Sequence, residues 1–196
     1  EIYTLSLHDA LPISSWSERP EAAYRAMLAQ ARAAGIAVRQ IAGRKTLAAG
    51  PDFVLEAFGL EAREARQVSE NDRSLLVRLA RGRRAFLFPG DIAAARERLL
   101  LRDLPPALLR ADVLMAGHHG SGGSTTPPFL RAVAPRAIVV SASAAKKGTH
   151  PASSHLESWQ QQGILVFATA ESGSITARTD GERLCLESGG RQQCLE

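Results

Sequence analysis

The chain has 196 residues, 45 % hydrophobic and 22 % charged, a balance that suits one packed domain and excludes a disordered, charge-dominated segment. No apolar run approaches the roughly 18 residues a membrane-spanning helix requires. The formal net charge is +4; arginine dominates the cations and tilts the substrate toward a polyanion, although an Ala- and Arg-rich composition from a GC-rich gene produces the same excess.

Residues 1–14, from Glu1 to Ser14, match the in-frame translation of a short-read sequencing adapter. The expectation is therefore a foreign 1–14 followed by a domain over 15–196 that forms the C-terminal portion of a protein cut somewhere upstream. The plainer reading is a short native segment with two chance polar residues, His8 and Asp9. Without Glu1 and Asp9 the net charge becomes +6.

Pro20 opens a helix over Glu21–Ala34, with Tyr24, Met27 and Leu28 as its apolar stripe and Gly35 as its stop. Ile36–Ile41 alternates as a strand. Thr46-Leu47 and Phe53–Phe58 read as short strands around Gly50-Pro51, and 59–71 as a polar loop. Ser74–Leu79 and Arg84–Phe88 form a hairpin around Arg81-Gly82-Arg83; the second strand is apolar on both faces, as in a sheet covered on each side. From Asp91 the pattern changes to alternating helix and strand. Helices are expected at 93–101, 128–133 and 152–162, with strands at 112–116, 136–141, 164–168, 174–178 and 183–187. That pattern predicts a layered α/β domain with mixed sheets.

Cys185 and Cys194 flank Glu187-Ser-Gly-Gly-Arg-Gln192, a two-residue hairpin with Gly189-Gly190 in a primed turn. Counting outward places 185 opposite 194 at a non-hydrogen-bonded pair, close enough for a disulfide. The alternatives are a bridge, which points to an oxidising extracytoplasmic compartment, or two small apolar residues on one strand face.

The chemistry is concentrated where apolar runs stop. Ala85-Phe-Leu-Phe-Pro-Gly90-Asp91 ends in a carboxylate. Ala111-Asp-Val-Leu-Met-Ala-Gly-His118-His119-Gly120-Ser121 ends in two imidazoles. Ala137-Ile-Val-Val-Ser-Ala leads into a loop with Lys146, Lys147 and Gly148-Thr149-His150-Pro151. Three strands each followed by His or Asp supply the donors of a hydrolytic metal centre. Asp91 reads as a metal ligand, as an N-cap for the helix that follows, or as both. Adjacent side chains on an extended segment point apart, so one of His118 and His119 is expected to ligate and the other to support it or contact phosphate. Gly120 and Ser121 open a loop whose amides could cradle phosphate or merely connect elements. Asn71 and Asp72 read as residues that orient and cap a loop. His155 reads as exposed helix surface.

These motifs, together with Asn71-Asp-Arg-Ser-Leu-Leu-Val-Arg-Leu, resemble in order and spacing the metallo-β-lactamase-like domain of the ComEC family of DNA-uptake channel proteins, over about Glu21 to Leu186. The resemblance implies a partial metallo-β-lactamase αββα sandwich with mixed sheets, and a metal-dependent phosphodiesterase cutting single-stranded or duplex DNA. It implies two divalent ions (Zn²⁺ or Mn²⁺) and no small-molecule cofactor. By the same resemblance Asp91 bridges the metals, His118 or His119 ligates, and His150 with Lys146 faces the phosphate. The domain would sit on the extracytoplasmic, periplasmic face of the inner membrane, attached to the channel domain of its parent chain. Two departures stand out. The family's His-x-x-x-Asp-His loop is not found upstream of Glu21, and Lys146 and Gly148-Thr149 replace an Asn and a Tyr-Gly before His150. The first implies that this fragment is inactive by itself. The alternatives are a non-catalytic DNA-binding or gating module with a degenerate site, and a free-standing hydrolase of the same fold.

Overall fold

The computed structural model describes residues 13–14, 22–142 and 151–195. Most of the adapter-like segment, Lys146 and His150 lie outside them. Strand β1 (Ile13–Ser14) pairs in parallel with β2 (Arg39–Gln40), with helix α1 (Ala22–Ala33) between them in the chain. The strand expected over Ile36–Ile41 is thus cut to two residues: alternation specifies a strand only where one face is buried, and here Ile36 remains exposed. Of the expected stripe on α1, Met27 is 53 % exposed and Leu28 half-buried.

The rest is organised around a seven-stranded sheet. Its strands are β3 (Gly43–Ala49), β4 (Phe53–Gly59), β5 (Leu76–Arg81), β6 (Arg84–Phe88), β7 (Val113–Met115), β8 (Ala137–Val140) and β9 (Leu165–Ala168), and they lie side by side in chain order. From β3 to β6 the neighbours are antiparallel; from β6 to β9 they are parallel. The switch follows from the connections. Arg81 pairs with Arg84 across the two-residue turn Gly82-Arg83, which forces an antiparallel return. Each later link carries a helix instead, and such crossovers keep strands parallel. Helices α3 (Ala94–Asp103) and α4 (Pro106–Leu109) join β6 to β7, α5 (Pro127–Val133) joins β7 to β8, and α6 (Ser153–Gln161) precedes β9. Between β4 and β5, where a loop was expected, the chain forms α2 (Ala62–Ala65) and a 3₁₀ turn over Asn71–Arg73.

Strand parity divides the core in two. Ala85, Leu87, Leu114, Ala116, Ile138 and Val140 pack under the helices with Leu100, Phe129 and Trp159. The alternate residues Phe86, Val113 and Ala137 face Leu184, Leu186 and Leu195 of a second sheet. That sheet is β10 (Ile175–Thr179), β11 (Leu184–Ser188) and β12 (Arg191–Leu195), antiparallel throughout. The short helix α7 (Thr169–Ser172) leads into it. Helices, large sheet and small sheet therefore stack as a layered α/β sandwich with mixed strand directions, as the sequence pattern predicts. Between β11 and β12 both turn glycines, Gly189 and Gly190, have positive φ, and Cys185 lies opposite Cys194 in a disulfide.

Candidate functional site

Parallel strands that follow one another in space end on the same edge, and open α/β sheets characteristically place ligands beyond those carboxyl ends. Here Phe86, Val113, Ala137 and Leu165 stand in register. A few residues further along each strand come Asp91, the His118-His119 pair, Ser141 and Thr169, so one rim collects residues separated by up to 78 positions in the chain.

The histidine pair does not continue the strand. His118 and His119 have φ of 48° and 56°, in the left-handed region, and Gly120 follows at 80°. For non-glycine residues this conformation costs on the order of 1 kcal/mol or more each, and it persists only where surrounding contacts impose it. Those contacts are specific. The His118 amide donates to Gly90 O at 2.9 Å and the Ser121 amide donates to His118 O at 3.0 Å. Below the turn, the Gly117 amide donates to Thr125 Oγ1 and Ser124 Oγ–H donates to Gly117 O. A Cβ on Gly120 would come within 2.9 Å of Pro151 Cβ, which requires glycine there.

The turn swings His119 over the Asp91 carboxylate, with Nε2 3.8 Å from Asp91 Oδ1, and holds Nδ1 2.8 Å from Ser141 O. Because a carbonyl only accepts, Nδ1 carries a proton, and in the neutral tautomer this selects, Nε2 turns its lone pair toward a carboxylate oxygen. At 3.8 Å no hydrogen bond joins them. Two acceptors facing each other across such a gap suit a cation with bonds of about 2.0–2.2 Å to each, and a backbone carbonyl on the far nitrogen is the usual way a ligating histidine is oriented. The donor set therefore fits a divalent ion as far as it goes. Among the described residues no group of three or more His, Cys, Asp or Glu side chains gathers around one point. The His118 ring centre is 6.5 Å from that of His119.

Asp91 does not cap α3. Its amide donates to Ser74 Oγ at 3.3 Å and its side chain is about half exposed at the rim. The cap comes from Asp72 on the 3₁₀ turn, whose Oδ1 accepts from the amides of Ala93 (2.7 Å) and Arg96 (3.4 Å). Asp72, read from the sequence as capping its own loop, instead caps a helix whose Ala93 lies 21 residues away. The carboxylate of Glu97 does the same for α5, accepting from the Thr125 and Thr126 amides at 2.5 and 2.9 Å and from Thr126 Oγ1. Burial pushes the Glu97 carboxyl upward against the pull of these donors. Both carboxylates stiffen the loops that carry the rim.

Ser121 lies beside the pair, its amide engaged by His118 O; Gly120 O accepts from the Ala152 amide at 3.0 Å, which ties the turn to the start of α6. Lys146 and His150 fall outside the described residues. His155, expected to be exposed, instead packs its ring 5.3 Å from Trp159 with Nδ1 buried, and burial lowers its pKa. Sequence reasoning missed Ser141, which acts only through its main chain, and Thr169. The Thr169 hydroxyl accepts from the Ala142 amide and donates to Ala142 O, both at 2.9 Å, bracing the segment that offers Ser141 O. The signal available for Thr169 was its place just past a fourth parallel strand.

No family model matches the chain. Curated relatives do. It is 29 % identical over 152 residues to ComE operon protein 3 of Bacillus subtilis (strain 168), covering 78 % of this chain and 19 % of that protein. It is 31 % identical over 116 residues to Competence protein ComA of Neisseria gonorrhoeae (59 % and 17 %) and 29 % identical over 119 residues to Recombination protein 2 of Haemophilus influenzae (61 % and 15 %). The chain spans less than a fifth of the length of these relatives. By these matches it is similar to a segment of the ComEC-type competence proteins.

Proposed function

We propose that this chain contributes part of a metal-dependent phosphodiesterase site that cuts DNA as it is taken up by a ComEC-type protein. The observation that carries the reading is the His119–Asp91 pair: a ring with its proton fixed by Ser141 O, facing a carboxylate across 3.8 Å. Asp91 and His119 would hold a divalent ion, Zn²⁺ or Mn²⁺, which when bound polarises a phosphoryl oxygen and lowers the pKa of a water. Asp91 keeps a carboxylate at the rim because Asp72 has taken over the helix cap. The left-handed turn holds His119 in place, and the packed loop under Gly117 keeps that turn from relaxing. His118 and a second ion, Lys146 and His150 toward the phosphoester, and Gly120 and Ser121 beside it belong to the same proposal. The names of the relatives, competence and recombination proteins, support DNA as substrate. The Cys185–Cys194 disulfide supports an oxidising, extracytoplasmic setting for the domain, attached to the channel part of a longer parent. Among the described residues no helix is long and apolar enough to cross a membrane.

The test has two arms. In the intact parent, Asp91→Ala should reduce metal-dependent DNA cleavage to background while circular dichroism stays unchanged; cleavage that persists overturns the reading. In the 196-residue chain, Asp91→Ala and His119→Ala should each weaken Mn²⁺ or Zn²⁺ binding, measured by calorimetry, by at least about tenfold. The same chain should show no turnover, because two donors do not complete a two-metal centre. A second reading, a non-catalytic DNA-binding or gating module, is favoured by the lack of a three-donor group among the described residues. An intact parent that binds DNA but cleaves none with any divalent ion would establish it.

A further inference from the structure

Two of the arginines around Gly82 are spent internally: Arg81 binds Asp52 and Thr179 O, and Arg84 binds Asp112, Glu182 O and Leu195 O, while the exposed Arg83 lies 3.8 Å from Glu182. A different basic surface stays open. Between α2 and α3 runs a groove of about 460 Å³ lined by Arg63, Glu64 and Gln67 on one side and Arg98, Leu99 and Arg102 on the other. The one carboxylate in its lining, Glu64, is already matched: Arg102 binds it at 3.0 Å while also binding Asp103 at 2.6 Å. Arg63 and Arg98 face the groove from opposite walls with no carboxylate partner among the described residues. Arg98 and Arg102 are one turn apart on α3, so their side chains project about 5–6 Å from each other. That helix starts at Ala94, three residues past Asp91.

We propose that this α2–α3 groove is a phosphate-binding track for a nucleic-acid strand, engaged by Arg63 and Arg98 and continuous through α3 with the Asp91 rim. It deepens the reading of the rim as a phosphodiester site and rests on it for the identity of the strand. Arginine forks pair with phosphate oxygens in two parallel hydrogen bonds. The lining has no aromatic platform on which bases would stack, so the strand is held by its backbone, without sequence preference.

The experiment measures binding of a fluorescent oligothymidine to the 196-residue chain by anisotropy, in EDTA, over a series of salt concentrations. EDTA separates it from the cleavage assays that test Asp91: binding can fail while cleavage stands, and the reverse. The double variant Arg63→Ala/Arg98→Ala should lower the slope of log affinity against log salt by about 1.4, two single-strand phosphate contacts. Arg63→Lys/Arg98→Lys should retain that slope, and Arg136→Ala, outside the groove, should leave it unchanged. An unchanged slope in the double alanine variant overturns the proposal. So does an equal loss of binding to polyglutamate or to anionic vesicles, which would mark a general anion surface.

Discussion

At the scale of single residues, the rim depends on groups whose ionisation or tautomer is set by neighbours. His119 is the clearest: Ser141 O places a proton on Nδ1, and the proposed metal role needs the lone pair that the neutral ring then has on Nε2. Glu97 is the buried counterpart, 1 % exposed and held by two amides and a hydroxyl. Because burial raises its pKa in the folded state, the folded protein binds the proton more tightly than the unfolded chain. The resulting stability is fully present below the ordinary carboxylate range and is lost as pH rises from there through the raised value. Glu97→Gln removes this titration. Denaturant unfolding across pH 4 to 8 should therefore show the stability of the wild type, relative to Glu97→Gln, declining as pH rises; a flat difference would contradict the assignment. The residues of the rim itself were legible in the sequence because His-His and Gly-Asp stand where apolar runs end. Ser141 was not, since a main-chain carbonyl carries no residue-specific signal.

At the scale of elements, strand–helix alternation after Asp91 was readable from hydrophobic period alone, and the boundaries moved by only a few residues. What periodicity does not report is how each helix end is satisfied. The N-terminal amides of α3 are capped from the 3₁₀ turn by Asp72, and those at the start of α5 by Glu97 from within α3. Local sequence pointed to Asp91 as a possible cap because it is adjacent in the chain; the structure frees it for the rim. Asp72→Ala should destabilise the fold by about 1–2 kcal/mol, the usual cost of losing a cap, as read by urea denaturation. Asp72→Asn, which retains an acceptor, should recover most of that loss. A neutral Asp72→Ala would show that α3 is satisfied another way. Ile36–Ile41 also alternates, but Ile41 alone of it is buried and Ile36 stays exposed, and only the two residues of β2 form there.

For the whole molecule, the joint between the two sheets is a clasp at the end opposite the carboxyl edge of β6–β9. The turn between β5 and β6 touches the turn between β10 and β11: the Arg83 amide donates to Gly181 O at 2.8 Å, and a Cβ on Gly82 would lie 2.8 Å from that same oxygen. Gly82 also has φ of 52°. Arg84 adds bonds to Glu182 O, Leu195 O and Asp112. Gly82→Ala should thus cost more than 1 kcal/mol through both backbone strain and the close approach. Differential scanning calorimetry reads this as a drop in Tm; an unchanged Tm would mean that the two turns do not press together in solution. The arginine excess read from the sequence could not say which arginines stay open; the partners of Arg84 lie 28 to 111 positions away, beyond the reach of local pattern.

By itself the sequence determined the α/β class, the hairpins around Gly82 and at Gly189-Gly190, and the opposition of Cys185 and Cys194, and it singled out Asp91 with the histidine pair as candidate site residues. Those follow from period, turn chemistry and the types of side chain able to hold a cation, all of which act over a few neighbouring positions. Only the tertiary structure decided that His119 is the imidazole turned onto Asp91, that Asp72 caps α3 in its place, and that the open basic surface lies between α2 and α3. Each of those depends on strands and helices meeting from distant parts of the chain, where register and packing, and not local pattern, choose the partner.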